Sequence, residues 1–267
     1  MITEKQILVV EDEVITALDI QRRLKSLGYQ VPEIICSGEE AIEKVKQNKP
    51  DLILMDINLF GGMDGIEAAS KIHSFSDIPI IYLTAFSDNE TLQRAKITEP
   101  YAYIVKPFKD RDLHLNLEIA FYKYTMEKKL KEKNQWLISV IESIGDAVIT
   151  TDPEGKIRLM NPIAQALTGW SKDEAIGKPV EDIFNIISEK TDVEIESPVT
   201  KVLREDMFYG LADHTALITK EGMKRSVDII GSTIKIDGNN IIGIVFIFYD
   251  ITGRIRVDEM MNISDKC

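Results

Sequence analysis

The sequence predicts an α/β unit, a doubly wound five-stranded parallel sheet, followed by an α+β unit with a five-stranded antiparallel sheet. Three observations carry this expectation. A length of 267 residues suits two domains at roughly 100–200 residues each. In the first half, short apolar runs alternate five times with segments of helical spacing, the pattern of a parallel sheet covered on both faces. In the second half, two strand-like runs, several short helical segments and three more strand-like runs follow one another. The boundaries read as 1–122 for the first unit, 123–136 for a helical linker, 137–256 for the second unit and 257–267 for a tail.

Gln6 to Val10 is a buried-strand run that ends in Glu11-Asp12-Glu13. Val14, Leu18, Leu24 and Leu27 then recur at helical spacing, and Gly28 fits the position after that helix. Val31 to Ile35 is a short strand, and Ser37-Gly38-Glu39-Glu40 opens a helix with Ala41, Ile42 and Val45. Leu52 to Asp56 is the central strand, apolar until its final carboxylate. Asp64-Gly65 precedes a helix through Ile66, Ala69 and Ile72. Ile78 to Leu83 is a fourth strand closed by Thr84-Ala85, and Asp88-Asn89-Glu90 starts a fourth helix. Tyr101 to Val105 is a fifth strand, followed by Lys106-Pro107-Phe108. Lys109-Asp110 starts a helix with no Gly or Pro before Ile144, a rod of about 50 Å at ~1.5 Å per residue.

Composition excludes several classes. The net charge of −12 disfavours nucleic-acid binding, which needs clustered Lys and Arg. Two cysteines, Cys36 and Cys267, do not make a disulfide framework and fit a reducing cytoplasm. Residues 1–6 lack a signal-peptide pattern. The longest apolar run, Ile241 to Tyr249, falls short of the ~20 residues that span a bilayer. The expectation is a cytoplasmic protein with no membrane contact.

The residues closing strands one, three, four and five are Glu11/Asp12, Asp56, Thr84 and Lys106. Carboxyl ends of strands are where open α/β sheets hold their ligands. Three carboxylates gathered there repel one another. A hard divalent cation with oxygen ligands resolves this, and Mg²⁺ suits one or two carboxylates plus waters. Lys106 supplies a point charge for a phosphoryl oxygen, and Thr84 a hydroxyl. Taken singly, such an aspartate is ordinarily a helix cap and such a lysine a solvated charge; the four-point arrangement argues otherwise. A phosphatase with an aspartyl nucleophile is disfavoured, because Asn58 stands where its second Asp belongs. No Gly-x-Gly-x-x-Gly follows a strand, which disfavours a dinucleotide fold.

On Glu11-Asp12, the strand ending in Asp56, Thr84-Ala85 and Lys106-Pro107-Phe108, residues 1–122 resemble a response-regulator receiver domain of flavodoxin-like fold. The resemblance implies that Asp56 is the phosphoacceptor, taking its phosphoryl group from a sensor histidine kinase or phosphotransfer protein. It implies that Asp12, Asp56 and the Asn58 carbonyl hold Mg²⁺, with Glu11 near the metal or its waters. It implies that Thr84, Ala85 and Lys106 meet the phosphoryl group, and that Lys106-Pro107 is cis. Tyr103 takes the aromatic switch position, turning inward as Thr84 moves. The expected enzymatic content is self-phosphorylation at Asp56 and its reversal by hydrolysis.

Leu113, Leu117, Ala120 and Tyr124 repeat at 4-3-4 spacing; Leu130, Leu137, Ile141 and Ile144 form a second repeat after a slip near Met126. Such a rod suits a short coiled-coil homodimer; the Glu127 to Lys133 charge run also suits a solvated linker.

Asp146 to Asp152 and Lys156 to Met160 read as a hairpin around Pro153-Glu154-Gly155. Asn161-Pro162 opens a helix ended by Gly169-Trp170-Ser171. Short helices run through Ala175 and Val180 to Phe184, Ser188 to Ser197 is a polar loop, and Val199 to Phe208 is helical. Strands at His214 to Thr219, Lys224 to Ile236 and Asn240 to Asp250 follow, with turns at Glu221-Gly222 and Asp237-Gly238.

On Ala147 to Asp152, Gly155-Lys156-Ile157, Asn161-Pro162, Leu167 to Trp170, Ile176-Gly177-Lys178 and Asp250-Ile251-Thr252, residues 137–256 resemble a PAS domain, a sensor and dimerisation module. The residues name no ligand. Flavin is disfavoured because this half holds only Cys267, and haem because Val199 to Phe208 lacks a histidine; His214 stands at a strand start. A two-component regulator is the reading that results. The other two weighed are a ligand-sensing scaffold whose receiver is only an interaction surface, and a transcription factor without its output domain, which the acidic charge disfavours.

Overall fold

The computed structural model describes residues 5–85, 89–188, 193, 197–209, 215–237 and 240–252. The chain divides into two compact units between Lys133 and Asn134. Among the described residues no helix is long and apolar enough to cross a membrane.

In the first unit, β1 (Ile7–Val10), β2 (Ile34–Ile35), β3 (Leu52–Asp56), β4 (Ile80–Thr84) and β5 (Ala102–Val105) form a parallel sheet in the order β2-β1-β3-β4-β5. The helices are α1 (Val14–Ser26), α2 (Gly38–Gln47), α3 (Gly65–His73), α4 (Asn89–Ile97) and α5 (Asp110–Ser143). Every residue of β1, β3 and β4 is buried. One set of side chains, including Val10, Ile53, Met55 and Tyr82, packs with α2 and α3. The other, including Val9, Leu54, Leu83 and Ile104, packs with α1 and α5. Burying one such side chain stabilises by roughly 1.5–3 kcal/mol, so a strand of them tolerates a charge at its end.

Helix starts follow the expected cap chemistry. Ser37 Oγ accepts the Glu40 amide at 3.3 Å and Asp64 Oδ1 the Glu67 amide at 2.8 Å. Gly28 leaves α1 at φ +89°, a left-handed conformation that a side chain resists. The β2 strand is shorter than Val31 to Ile35, since Pro32 carries no amide hydrogen to enter the ladder. Helix α5 runs unbroken for 34 residues, entering the second unit at its end. Its buried stripe is Leu113, Leu117, Ala120 and Phe121; Tyr124, expected in that stripe, is half-buried.

The second unit has seven strands among the described residues: β6 (Ala147–Thr151), β7 (Ile157–Met160), β8 (Asn185–Ser188), β9 (Met207–Tyr209), β10 (Thr215–Ile218), β11 (Lys224–Ile236) and β12 (Asn240–Asp250). They order as β7-β6-β12-β11-β10-β8, with β9 also paired to β11, and every pairing is antiparallel. The five expected strands thus lie side by side from β7 to β10, with β8 added beyond β10 and β9 paired to β11. Helices α6 (Pro162–Thr168), α7 (Lys172–Ala175), α8 (Val180–Ile183) and α9 (Pro198–Glu205) complete the unit. The helix expected to reach Phe208 stops at Glu205, because Asp206 takes φ +68° and releases the chain into β9. His214, Gly238 and Cys267 lie outside the described residues.

Asn161 joins the unit's first elements. Wholly buried, it accepts the amides of Val148 at 3.0 Å and Ala164 at 2.9 Å. Its own amide donates to the carbonyls of Asp146 at 2.8 Å and Ile141 at 3.3 Å. The core beneath the sheet packs Phe184 against Phe248, ring centres 4.6 Å apart and planes tilted by 46°.

Candidate functional site

The strand order changes direction between β1 and β3: the chain steps outward to β2, then returns to the far side of β1. Such a switch point leaves a crevice at the carboxyl ends of the two strands. Glu11 and Asp12 follow β1 there, and Asp56 ends β3. Carboxylate oxygens of all three lie within 4.8 Å of one another. Glu11 and Asp56 are buried, 1% and 6% exposed, and Asp12 is half-buried.

Buried charges of one sign demand a counter-charge. Lys106, which follows β5, supplies it: its Nζ donates to Glu11 Oε2 at 2.6 Å and to Asp56 Oδ2 at 2.8 Å. The Lys106 amide donates to the Thr84 carbonyl at 2.7 Å, and Lys106-Pro107 is cis, as expected. Burial pushes the Glu11 carboxyl up to about 7, against the Lys106 hydrogen bond and with Asp56 adding to the rise. Burial works against the Lys106 charge, but hydrogen bonds to Asp56 and Glu11 outweigh it and raise its pKa. The ammonium is therefore held in its charged form between the Glu11 and Asp56 carboxylates.

Of the other expected residues, Asn58 is exposed beside the cluster, and its amide donates to Asp56 Oδ1 at 3.3 Å. Thr84 is buried at the end of β4, one register step from Asp56 through Leu83, and Ala85 after it is exposed. Tyr103 packs its ring against Tyr82, centres 5.9 Å apart. Its buried hydroxyl has no hydrogen-bond partner among the described residues.

Two features were not read from the sequence. The Phe60 amide donates to Asp12 Oδ2 at 3.2 Å, tying the loop after β3 to the acidic pair. Gly65 approaches so closely that an added Cβ would stand 1.9 Å from the Asp56 carbonyl oxygen. The signal for the second was present in the Asp64-Gly65 pair before α3, where only a residue without a side chain fits.

Residues 7–118 match the family model of the response regulator receiver domain, and residues 145–253 that of the PAS domain. The chain is a receiver domain followed by a PAS domain. The receiver is homologous to response regulators. It is similar to the transcriptional regulatory protein PdtaR of Mycobacterium tuberculosis strain H37Rv, with 38% identity over 120 residues, 45% of this chain and 58% of that protein. It is similar to YvrH of Bacillus subtilis strain 168, with 39% identity over 129 residues, 48% of this chain and 54% of that protein. The chain thus spans about half the length of the curated relatives it matches. Among solved structures, the receiver domain of the sensor histidine kinase PA1611 from Pseudomonas aeruginosa PAO1, with a magnesium ion in its active-site cleft, is 30% identical. The match covers 45% of this chain and 98% of that one, with a TM-score of 0.42.

The PAS domain shows its matched motifs as structural joints. Asn161 is the buried N-cap just described, and Gly169 closes α6 at φ +78°. Trp170 lies between two lysines, with Lys178 and Lys220 ammoniums 4.8 and 4.5 Å from its ring centre. Thr252 folds its amide back onto Asp250 Oδ1 at 2.8 Å.

Proposed function

We propose that this chain is a two-component response regulator in which Asp56 accepts a phosphoryl group from a sensor histidine kinase or phosphotransfer protein. The observation that carries the proposal is the Lys106 ammonium shared by Glu11 and Asp56, with the Asp12 carboxylate in the same cluster. An Asp56 oxygen attacks phosphorus as the phosphorus–nitrogen bond of the donor breaks. The electron pair leaves on the imidazole nitrogen, which takes up a proton, and an acyl phosphate results. Lys106 faces the incoming phosphoryl oxygens, and Thr84 and Ala85 meet them from the end of β4. Attack by water at phosphorus later releases inorganic phosphate and restores the carboxylate.

The cluster fits a hard cation: three carboxylates, oxygen donors alone, gathered within 4.8 Å at a crevice mouth. Asp12, Asp56 and the Asn58 carbonyl would hold Mg²⁺, with Glu11 beside it. The ion's chemistry there is neutralisation of the phosphoryl oxygens. Tyr103 and Thr84 form the switch: Tyr103 sits half-buried beside Tyr82, so a shift of Thr84 alters its packing. The change passes through α5 to the packing or partner binding of the PAS domain. Homodimerisation through the helix or the PAS domain belongs to the same reading, supported by Trp136, Leu137 and Val140, which are 65%, 52% and 40% exposed on α5. The domain bounds proposed are 1–122, 123–136 and 137–256, and the compartment is the cytoplasm.

The test is mass spectrometry after incubation with acetyl phosphate and Mg²⁺. The expected result is a gain of about 80 Da, one phosphoryl group on a carboxylate, absent from Asp56→Asn. The same gain in Asp56→Asn, or none in the wild type, overturns the reading. The scaffold alternative predicts no gain.

A further inference from the structure

Beyond Phe121, helix α5 loses its hydrophobic support: no residue from 122 to 140 is buried. A stretch of this kind is weakly held unless something else supports it, because most helical stability in proteins comes from packing an apolar face. Its first turns nonetheless meet two loops of the receiver. Tyr101, the residue before β5, donates its hydroxyl to Glu127 Oε2 at 2.7 Å. The Tyr101 ring meets Tyr124 edge-on, centres 6.0 Å apart, and the Lys123 ammonium lies 5.2 Å from its centre. One turn further, Lys131 Nζ pairs with Asp77 Oδ2 at 2.8 Å, in the segment between α3 and β4. Positions 123/124, 127 and 131 share one helical face.

We propose that Tyr101 and Asp77 clasp Glu127 and Lys131, fixing the direction in which α5 leaves the receiver. Exposed ion pairs are individually weak, so the Tyr101 contact is the main anchor: it is half-buried, and three side chains of the helix converge on it. The Asp77 pair then sets the angle of the next turn. The clasp does not depend on phosphoryl transfer. Its position matters because β5 carries Tyr101 before one end and Lys106 after the other.

Lysines 128, 129, 131 and 133 make the segment its own reporter for limited trypsin cleavage of the full chain. In Tyr101→Phe combined with Asp77→Asn, cleavage at these lysines should rise about tenfold, while cleavage at Lys44 and Lys46 on α2 stays unchanged. In Glu127→Ala, an exposed change that keeps a strong helix former, it should rise about threefold. Rates within about twofold of wild type in both variants overturn the clasp. If the double variant also opens α2, Glu127→Ala decides: a rise confined to 128–133 supports the clasp, and none overturns it.

Discussion

The Lys106 ammonium stands 2.8 Å from an Asp56 carboxylate oxygen across 50 residues of chain, and Glu11 holds the same ammonium from the other side. Lys106→Met removes the cation bonded to the two buried acids. Deleting one partner of a buried ion pair leaves an uncompensated charge, so stability in urea should fall by about 3 kcal/mol. Millimolar Mg²⁺ should recover part of that loss, since a cation that binds only the folded state stabilises it. Equal urea midpoints for wild type and variant, with and without Mg²⁺, would remove the electrostatic account of the site.

Gly65 is the second point where the site leaves no latitude. A Cβ there meets the Asp56 carbonyl oxygen at 1.9 Å, so β3 and the start of α3 must part. Gly65→Ala should cost roughly 3 kcal/mol of unfolding free energy. Gly145→Ala is the control: nothing lies within 4 Å of its added Cβ, and the change should stay within about 0.5 kcal/mol. Chemical denaturation of the two variants side by side measures the difference.

Asn161 predicts a loss in the PAS domain. Alanine there leaves the Val148 and Ala164 amides and the Asp146 carbonyl without their side-chain partner in a buried place. The expected cost is about 3 kcal/mol. Asn161→Asp keeps both acceptors but points a carboxylate at the Asp146 and Ile141 carbonyls. It should be no less destabilising at neutral pH and should recover as acid protonates it.

The capping box at α7 gives a pH dependence with a defined sign. Lys220, with Ser171, holds the Glu174 carboxyl down at about 2, below its ordinary 4.5. A carboxyl depressed in the folded state contributes stability above its unfolded pKa and loses it as pH falls through the folded one. The urea midpoint of Glu174→Gln should therefore lie below that of wild type at pH 6. The gap should narrow as pH falls below 4.5 towards 2. A gap that widens on acidification would contradict the sign.

Much of this was legible in the sequence, and the exceptions have physical causes. Strands β11 and β12 begin and end where expected, because Glu221-Gly222 and Asp237 fix turns between long runs of β-favouring residues. The gathering of Glu11, Asp12, Asp56 and Lys106 followed from where apolar runs stop, since a charge ending a buried strand has few places to go. Strand β8 was hidden because Ile186 and Ile187 are its whole apolar signal, and pairing to β10 decides its state. Strand β9 was hidden because Asp206 breaks a helical pattern without Gly or Pro. The bond from Lys106 to Glu11 was equally invisible: it depends on how the two loops approach, not on either segment's pattern.

Tyr103 provides the last prediction. Its hydroxyl is buried and finds no hydrogen-bond partner among the described residues, while burial raises its pKa. Without a partner among the described residues, the hydroxyl has no protein hydrogen bond there to offset its desolvation. Tyr103→Phe keeps the ring against Tyr82 and deletes only the oxygen. Stability should rise, by up to about 1 kcal/mol, where loss of a bonded tyrosine hydroxyl would lower it. If the proposed switch works through ring packing, Tyr103→Phe should still take up phosphoryl groups from acetyl phosphate at close to the wild-type rate. Tyr103→Ala opens a cavity beside Tyr82 and should cost about 3 kcal/mol. A marked fall in stability for Tyr103→Phe would show that the hydroxyl has a bonding role in solution, and the ring could then no longer be taken as the part that matters.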